Sequence, residues 1–98
     1  MTQSVNDPPV RIRMLVGGRV QGVGFRAFAA RTAAQFDLVG GVRNLDDGRV
    51  ELDVEGKRTV IEAFVHALKT GPPTARVTKM ETEWSAATGR YSNFSIWY

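Results

Sequence analysis

VRIRMLVGGRVQGVGFRAF, residues Val10 to Phe28, changes character twice. Val10, Ile12 and Leu15–Val16 make a mostly apolar strand suited to the middle of a sheet. Gly17, Gly18, Gly22 and Gly24 then place four glycines in eight positions. From Phe25 the period changes: Phe25, Phe28, Ala29, Ala33 and Phe36 are spaced by three, four and seven, the stripe of an amphipathic helix. A strand, a loosened turn and a helix in direct succession are the first half of a βαβ unit.

The rest of the chain completes the pattern. Val39 to Asn44 reads as a second strand, and Asn44-Leu45-Asp46-Asp47-Gly48 has hairpin-turn composition. Val50, Leu52 and Val54 alternate with Arg49, Glu51, Asp53 and Glu55, which predicts a third strand with one polar, solvent-facing side. Thr59 with Glu62 offers a capping box for a second helix starting there or up to a turn earlier. Ile61, Phe64, Val65 and Leu68 form its apolar stripe, and Gly71-Pro72-Pro73 stops it. Val77, Met80, Thr82 and Trp84 belong to a fourth strand, and Phe94 to Tyr98 to a short closing strand at an edge.

The order β-α-β-β-α-β with a short fifth strand predicts an α+β, ferredoxin-like split βαββαβ sandwich: an antiparallel sheet carrying two helices on one face. In each right-handed βαβ crossover the two strands run the same way. The C-terminal ends of strands 1 and 2 therefore share one edge of the sheet. The Gly18–Gly24 loop follows strand 1 and Asn44 ends strand 2, so topology alone predicts that they meet.

Composition bounds what this can be. A chain of 98 residues makes one domain, expected here over residues 10–98 behind a flexible tail, residues 1–9, that ends in Asp7-Pro8-Pro9. Without a cysteine, disulfides, zinc–thiolate sites, iron–sulfur clusters and cysteine nucleophiles are excluded. No apolar run approaches the roughly 20 residues that span a membrane. The opening MTQSVNDPPVR lacks the apolar core of a signal peptide, so a cytoplasmic protein is expected. The net charge of +3 suits an anionic partner, but basic residues are scattered and no run exceeds the pair Lys57–Arg58.

A glycine-rich turn opening a helix is a ready anion site, because unpaired N–H groups converge on it and the helix dipole adds positive potential. Helical side chains lean toward the N-terminus, so Arg26 swings back over the same place. A cation at a helix start is unfavourable unless an anion lies between it and the dipole, and arginine grips phosphate with two parallel hydrogen bonds. Gly17 and Gly22 match the spacing of a Walker A loop, but Val23-Gly24 stands where Lys-Ser/Thr is required, and no G-x-G-x-x-G is present. Both nucleotide motifs fail. On the residues alone, a flexible connector with a surface arginine stands beside the anion site as an equal reading.

Gly18-Arg-Val-Gln-Gly-Val-Gly-Phe-Arg26 resembles the first signature of the acylphosphatase family. Gly40-Gly41-Val42-Arg43-Asn44, followed by Asp47-Gly48-Arg49-Val50, resembles the second, and Gly71-Pro72 and Phe94-Ser95-Ile96 extend the match over about Arg11 to Tyr98. The resemblance implies small hydrolases that cleave the carboxyl–phosphate bond of acyl phosphates without metal or other cofactor. Carried over by position, it makes Arg26 the phosphate-binding arginine, the backbone amides of Val20, Gln21, Gly22, Val23 and Gly24 the phosphate cradle, and Asn44 the residue that orients the attacking water. The expected partner is a small-molecule acyl phosphate, with neither nucleic acid nor membrane, and the expected state a monomer. One position departs: Gly41 stands where the family usually has an aromatic residue, which predicts a looser sheet or a hollow at strand 2.

An acyl phosphate is already activated, so the task is positioning and charge stabilisation. Read alone, Asn44 suits turn initiation as well as catalysis. His66 lies off the apolar stripe of its helix and reads as exposed and idle; Asp46 and Asp47 read as solvated turn residues, Arg11, Arg13 and Arg19 as solvated surface, and Trp84, Trp97 and Tyr98 as packing. Two other functions share the fold. RNA-recognition domains stack bases on aromatic residues of strand 3, where this chain has Arg49-Val-Glu-Leu-Asp-Val54. A non-catalytic binder of phosphate or carbamoyl phosphate would not require Asn44.

Overall fold

The computed structural model describes residues 7–98. Of the tail expected over residues 1–9, residues 1–6 lie outside the described residues; Asp7, Pro8 and Pro9 are exposed and carry no regular structure. The elements run β1 (Val10–Arg19), α1 (Phe25–Gln35), β2 (Val39–Asn44), β3 (Val50–Gly56), α2 (Arg58–Thr70), β4 (Arg76–Ala86) and β5 (Phe94–Ile96). They form one five-stranded sheet in the order β4-β1-β3-β2-β5 with both helices packed on it, the ferredoxin-like α+β architecture expected. β3 is antiparallel to both β1 and β2, so β1 and β2 run the same way. Val50 pairs with Val16 on one side and Asn44 on the other, which brings the ends of β1 and β2 to the same edge.

Two alternating sets of side chains build the core. Ile12, Met14 and Val16 of β1 and Val50, Leu52 and Val54 of β3 are buried against Phe25, Ala29 and Ala33 of α1 and Ile61, Phe64 and Leu68 of α2. α1 ends in a Schellman turn: Asp37 takes the left-handed conformation at φ 56°, Leu38 N–H donates to Ala33 O, and Asp37 N–H to Ala34 O. α2 begins one residue before Thr59, with Lys57 at its N-cap and no capping side chain. The expected capping box is therefore not formed; Glu62 instead accepts from Arg58 one turn back, at 3.4 Å.

The sheet is mixed, because β5 pairs in parallel with β2, Gly40 opposite Phe94 and Val42 opposite Ile96. That pairing follows from the path of the chain. β4 and β5 lie at opposite edges, so residues 87–93 must cross the sheet on the face away from the helices. The crossing overturns one expectation: Glu51, Asp53 and Glu55 are not a solvent-facing side of β3, but buried at 8%, 7% and 3% exposure. Glu55 accepts from Thr88 N–H at 3.0 Å, Thr88 Oγ1 at 2.6 Å and Gly89 N–H at 3.0 Å. Tyr91 Oη donates to Asp53 at 3.0 Å, and Gly40 N–H to Asn93 O at 2.9 Å.

Arg11 and Arg13, two of the three arginines expected to be solvated, complete this polar layer, while Arg19 is exposed as expected. Arg11 forms a two-pronged pair with Asp53, Nε to Oδ1 at 2.8 Å and Nη2 to Oδ2 at 2.6 Å, while Glu51 is shared by Arg13 and Arg43. Burial pushes each of the three carboxyls up, but the hydrogen bonds outweigh it and hold Glu51, Asp53 and Glu55 below their ordinary values.

Candidate active site

The loop between β1 and α1 combines three features that favour an anion. Gly22 and Gly24 sit in the left-handed region at φ 72° and 81°, which a side chain rarely adopts. Gly24 is the N-cap of α1 and supplies no side chain to it, and the first turn of the helix holds no acidic residue. The first intrahelical bond runs from Phe28 N–H to Gly24 O, so the amides of Phe25, Arg26 and Ala27 have no partner within the helix. The positive pole of α1 is thus uncompensated by the protein, and the one charged side chain in its first turn is Arg26.

Arg26 is half-buried and packs its guanidinium 5.6 Å from the centroid of the Tyr98 ring. Val20, Gly22, Gly24, Arg26, Ile96 and Tyr98 line a cleft of about 160 Å³ over the helix start. Tyr98 was expected to pack; it is fully exposed except for this contact. Val20 is buried and anchors the loop in the core.

Two tethers fix the loop to its surroundings. Thr74 Oγ1 donates to Val23 O at 2.6 Å, holding it to the segment after α2. Gln21 Nε2 donates to Leu45 O at 2.7 Å and Arg49 O at 2.9 Å. Leu45 and Arg49 bracket the β2–β3 turn, so one amide group joins the two segments that the sequence placed at the same edge. On sequence alone Gln21 has only a backbone part in the cradle; nothing in its spacing revealed this side-chain bridge.

Asn44 ends β2 opposite Val50. The turn that follows is closed without it, by Leu45 N–H to Arg49 O at 2.8 Å, Gly48 N–H to Leu45 O at 3.2 Å and Arg49 N–H to Asp47 Oδ1 at 3.0 Å. Its own Oδ1 is buried and accepts no hydrogen bond from the protein, the one such side-chain atom among the described residues. An unsatisfied buried acceptor costs free energy. The turn-initiating role read for Asn44 therefore leaves this atom unaccounted for.

His66, set aside on the sequence, is exposed on α2. Among the described residues, no group of three or more His, Cys, Asp or Glu is arranged to hold a metal, and no helix is long and apolar enough to cross a membrane. The hollow expected at Gly41 is filled, because the indole of Trp97 lies across that glycine.

Residues 12–96 match the acylphosphatase family model. The chain is 48% identical over 86 residues to the acylphosphatase of Methylococcus capsulatus, which covers 88% of this chain and 94% of that one. Among solved structures it is similar to the acylphosphatase from Bacillus subtilis, with a TM-score of 0.88 at 43% identity over 91% of this chain and 99% of that one. It is also similar to an acylphosphatase from Coxiella burnetii, with a TM-score of 0.84 at 36% identity over 98% and 99% of the two chains.

Proposed function

This chain belongs to the acylphosphatase family and is an enzyme that hydrolyses acyl phosphates, and on that premise we propose how its residues divide the work. The backbone amides of Val20 to Gly24 and the guanidinium of Arg26 hold the phosphoryl oxygens and stabilise their charge as it redistributes. Asn44 Oδ1 accepts a hydrogen from water and aims its oxygen at phosphorus, in line with the bond that breaks. The oxygen–phosphorus bond forms as the phosphorus–oxygen bond to the acyl group breaks, and the carboxylate leaves with the bonding pair. Asparagine takes up no proton at neutral pH, so the water's proton passes to an oxygen of the substrate. Charge stabilisation falls to the amides and Arg26, with no metal.

The observation that carries this reading is the unpaired, buried Oδ1 of Asn44 at the edge where the uncapped start of α1 also lies. Strand β3 presents no aromatic residue, which tells against an RNA-binding surface. We read the protein as a cytoplasmic monomer acting on a diffusible small molecule, without nucleic acid or membrane.

Hydrolysis of benzoyl phosphate in the presence of a chelator tests the assignment. Turnover should persist in chelator, and Arg26→Ala should lose on the order of 100-fold in kcat/KM while keeping the far-UV circular dichroism of the parent. A folded Arg26→Ala enzyme at parental rate would overturn the role of Arg26.

A further inference from the structure

In-line displacement fixes more than the direction of attack. Water and leaving group stand on opposite sides of phosphorus, and Asn44 is on β2, two strands away from β1 and toward the β5 edge. If water comes from Asn44, the acyl group leaves toward β1 and β4. There the phosphate loop continues into a second groove, of about 600 Å³, lined by Arg19, Gly22, Val23, Pro73 and Thr74. Gly22 borders both this groove and the cleft under Arg26.

One residue of that lining, Arg19, meets a like charge across the sheet. Arg19 pairs directly with Arg76 across β1 and β4, and both are exposed. Like charges directly opposite one another in an antiparallel pair are destabilising. Neither guanidinium has a carboxylate partner among the described residues, although Arg11, Arg13, Arg43, Arg49, Arg58 and Arg90 each have one. An anion between them would relieve the repulsion.

We infer that Arg19 and Arg76 form a subsite for a second anionic group on the carbon side of the substrate, so that the preferred acyl phosphates carry a carboxylate or phosphate beyond the acyl carbon. This rests on Asn44 as the source of the water. The phosphate being cleaved is held by the loop amides and Arg26, and the pair on β1 and β4 reads only the far end of the leaving group.

Succinyl phosphate and acetyl phosphate share the scissile bond and differ in the terminal carboxylate, so the ratio of their kcat/KM values isolates the subsite. The parent should favour succinyl phosphate by about five- to tenfold, the contribution of two partly exposed ion pairs. Arg76→Gln and Arg19→Gln should each lower that ratio, and the double variant should bring it near one. Arg31→Gln, which removes the same charge from the exposed face of α1, should leave the ratio unchanged. A parent without preference, or a preference that survives in the double variant, would overturn the subsite. So would an equal fall in Arg31→Gln, which would mark a diffuse field. Failure of the underlying reading looks different: neither substrate would be hydrolysed, or Asn44→Ala would keep parental turnover.

Discussion

The indole of Trp97 lies across Gly41 so closely that a Cβ on Gly41 would overlap its six-membered ring. Trp97 N–H donates to Val42 O at 2.8 Å, which extends the β5–β2 register and pins the ring there. Tyr91 packs against the same indole with ring centroids 5.7 Å apart. The position that lacks an aromatic side chain of its own thus receives one from the residue that follows the neighbouring strand β5.

Gly41→Ala should destabilise the fold by about 1–3 kcal/mol, since the ring must shift to admit a methyl group. Trp97→Ala should also destabilise it, by exposing the surface the ring covers. Gly41→Phe alone should cost more still, and Gly41→Phe combined with Trp97→Ala, which returns a ring to the site from β2, should cost less than Gly41→Phe and Trp97→Ala added together. Urea unfolding of the four proteins measures this; strict additivity would show that the two positions do not share one space.

Most of the fold was legible because periodicity and punctuation agreed. Ile61, Phe64 and Leu68 announced α2, and Val50, Leu52 and Val54 announced β3. Alternation distinguishes two faces of a strand but not what lies over each, so the burial of Glu51, Asp53 and Glu55 was invisible. It depends on residues 87–93 crossing the sheet, a path with no local signal. The capping box failed for a similar reason: Lys57 opens the helix, which puts Thr59 inside it, and Glu62 is engaged by Arg58. At the site, Arg26, Asn44 and the glycine loop were carried by motif, and topology placed their segments together. The bridge from Gln21 is a tertiary contact across 24 and 28 positions, which no spacing rule encodes.

That buried layer predicts how the protein responds to acid. Glu51, Asp53 and Glu55 titrate below their ordinary values of 4.5, 3.8 and 4.5 in the fold. Groups with depressed values contribute stability that is complete above the unfolded values and is lost as pH falls through the folded ones. From these groups the melting temperature should be level above pH 5 and should drop below about pH 4. Glu55→Gln replaces one of the two oxygens that accept these three hydrogen bonds with a donor amide, so it should lower stability at neutral pH by on the order of 2 kcal/mol and make the acid limb shallower. Thermal melts from pH 3 to 8 decide it; an unchanged acid limb would assign acid sensitivity to other carboxylates.

Gln21 should act on rate more than on affinity. Its amide joins Leu45 and Arg49 to the phosphate loop, so removing it lets the loop and the end of β2 drift apart without deleting a phosphate contact. Gln21→Ala should lower kcat about tenfold while KM stays within about twofold, since small misplacements of a reacting group are costly. Gln21→Glu should fare no better, because a carboxylate beside two carbonyl oxygens cannot donate to them. A raised KM with intact kcat would instead place the side chain among the substrate contacts.

Asn44 allows function and stability to be set against each other. Its Oδ1 is buried without a partner in the protein, and such an acceptor costs about 1–3 kcal/mol. Asn44→Ala removes that cost and, with it, the acceptor proposed to hold water. The enzyme should therefore lose on the order of 100-fold in kcat while its melting temperature stays level or rises. Asn44→Asp tests the same atom by another route: a carboxylate still accepts from water, but its charge repels the phosphoryl oxygens, so KM should rise as well. A residue held only for the β2–β3 turn would behave in the opposite way, with stability falling and kcat per folded molecule unchanged. Steady-state kinetics and thermal melts on the same preparations separate the two, and a stabilised, inactive Asn44→Ala is the outcome that only the water-holding role produces.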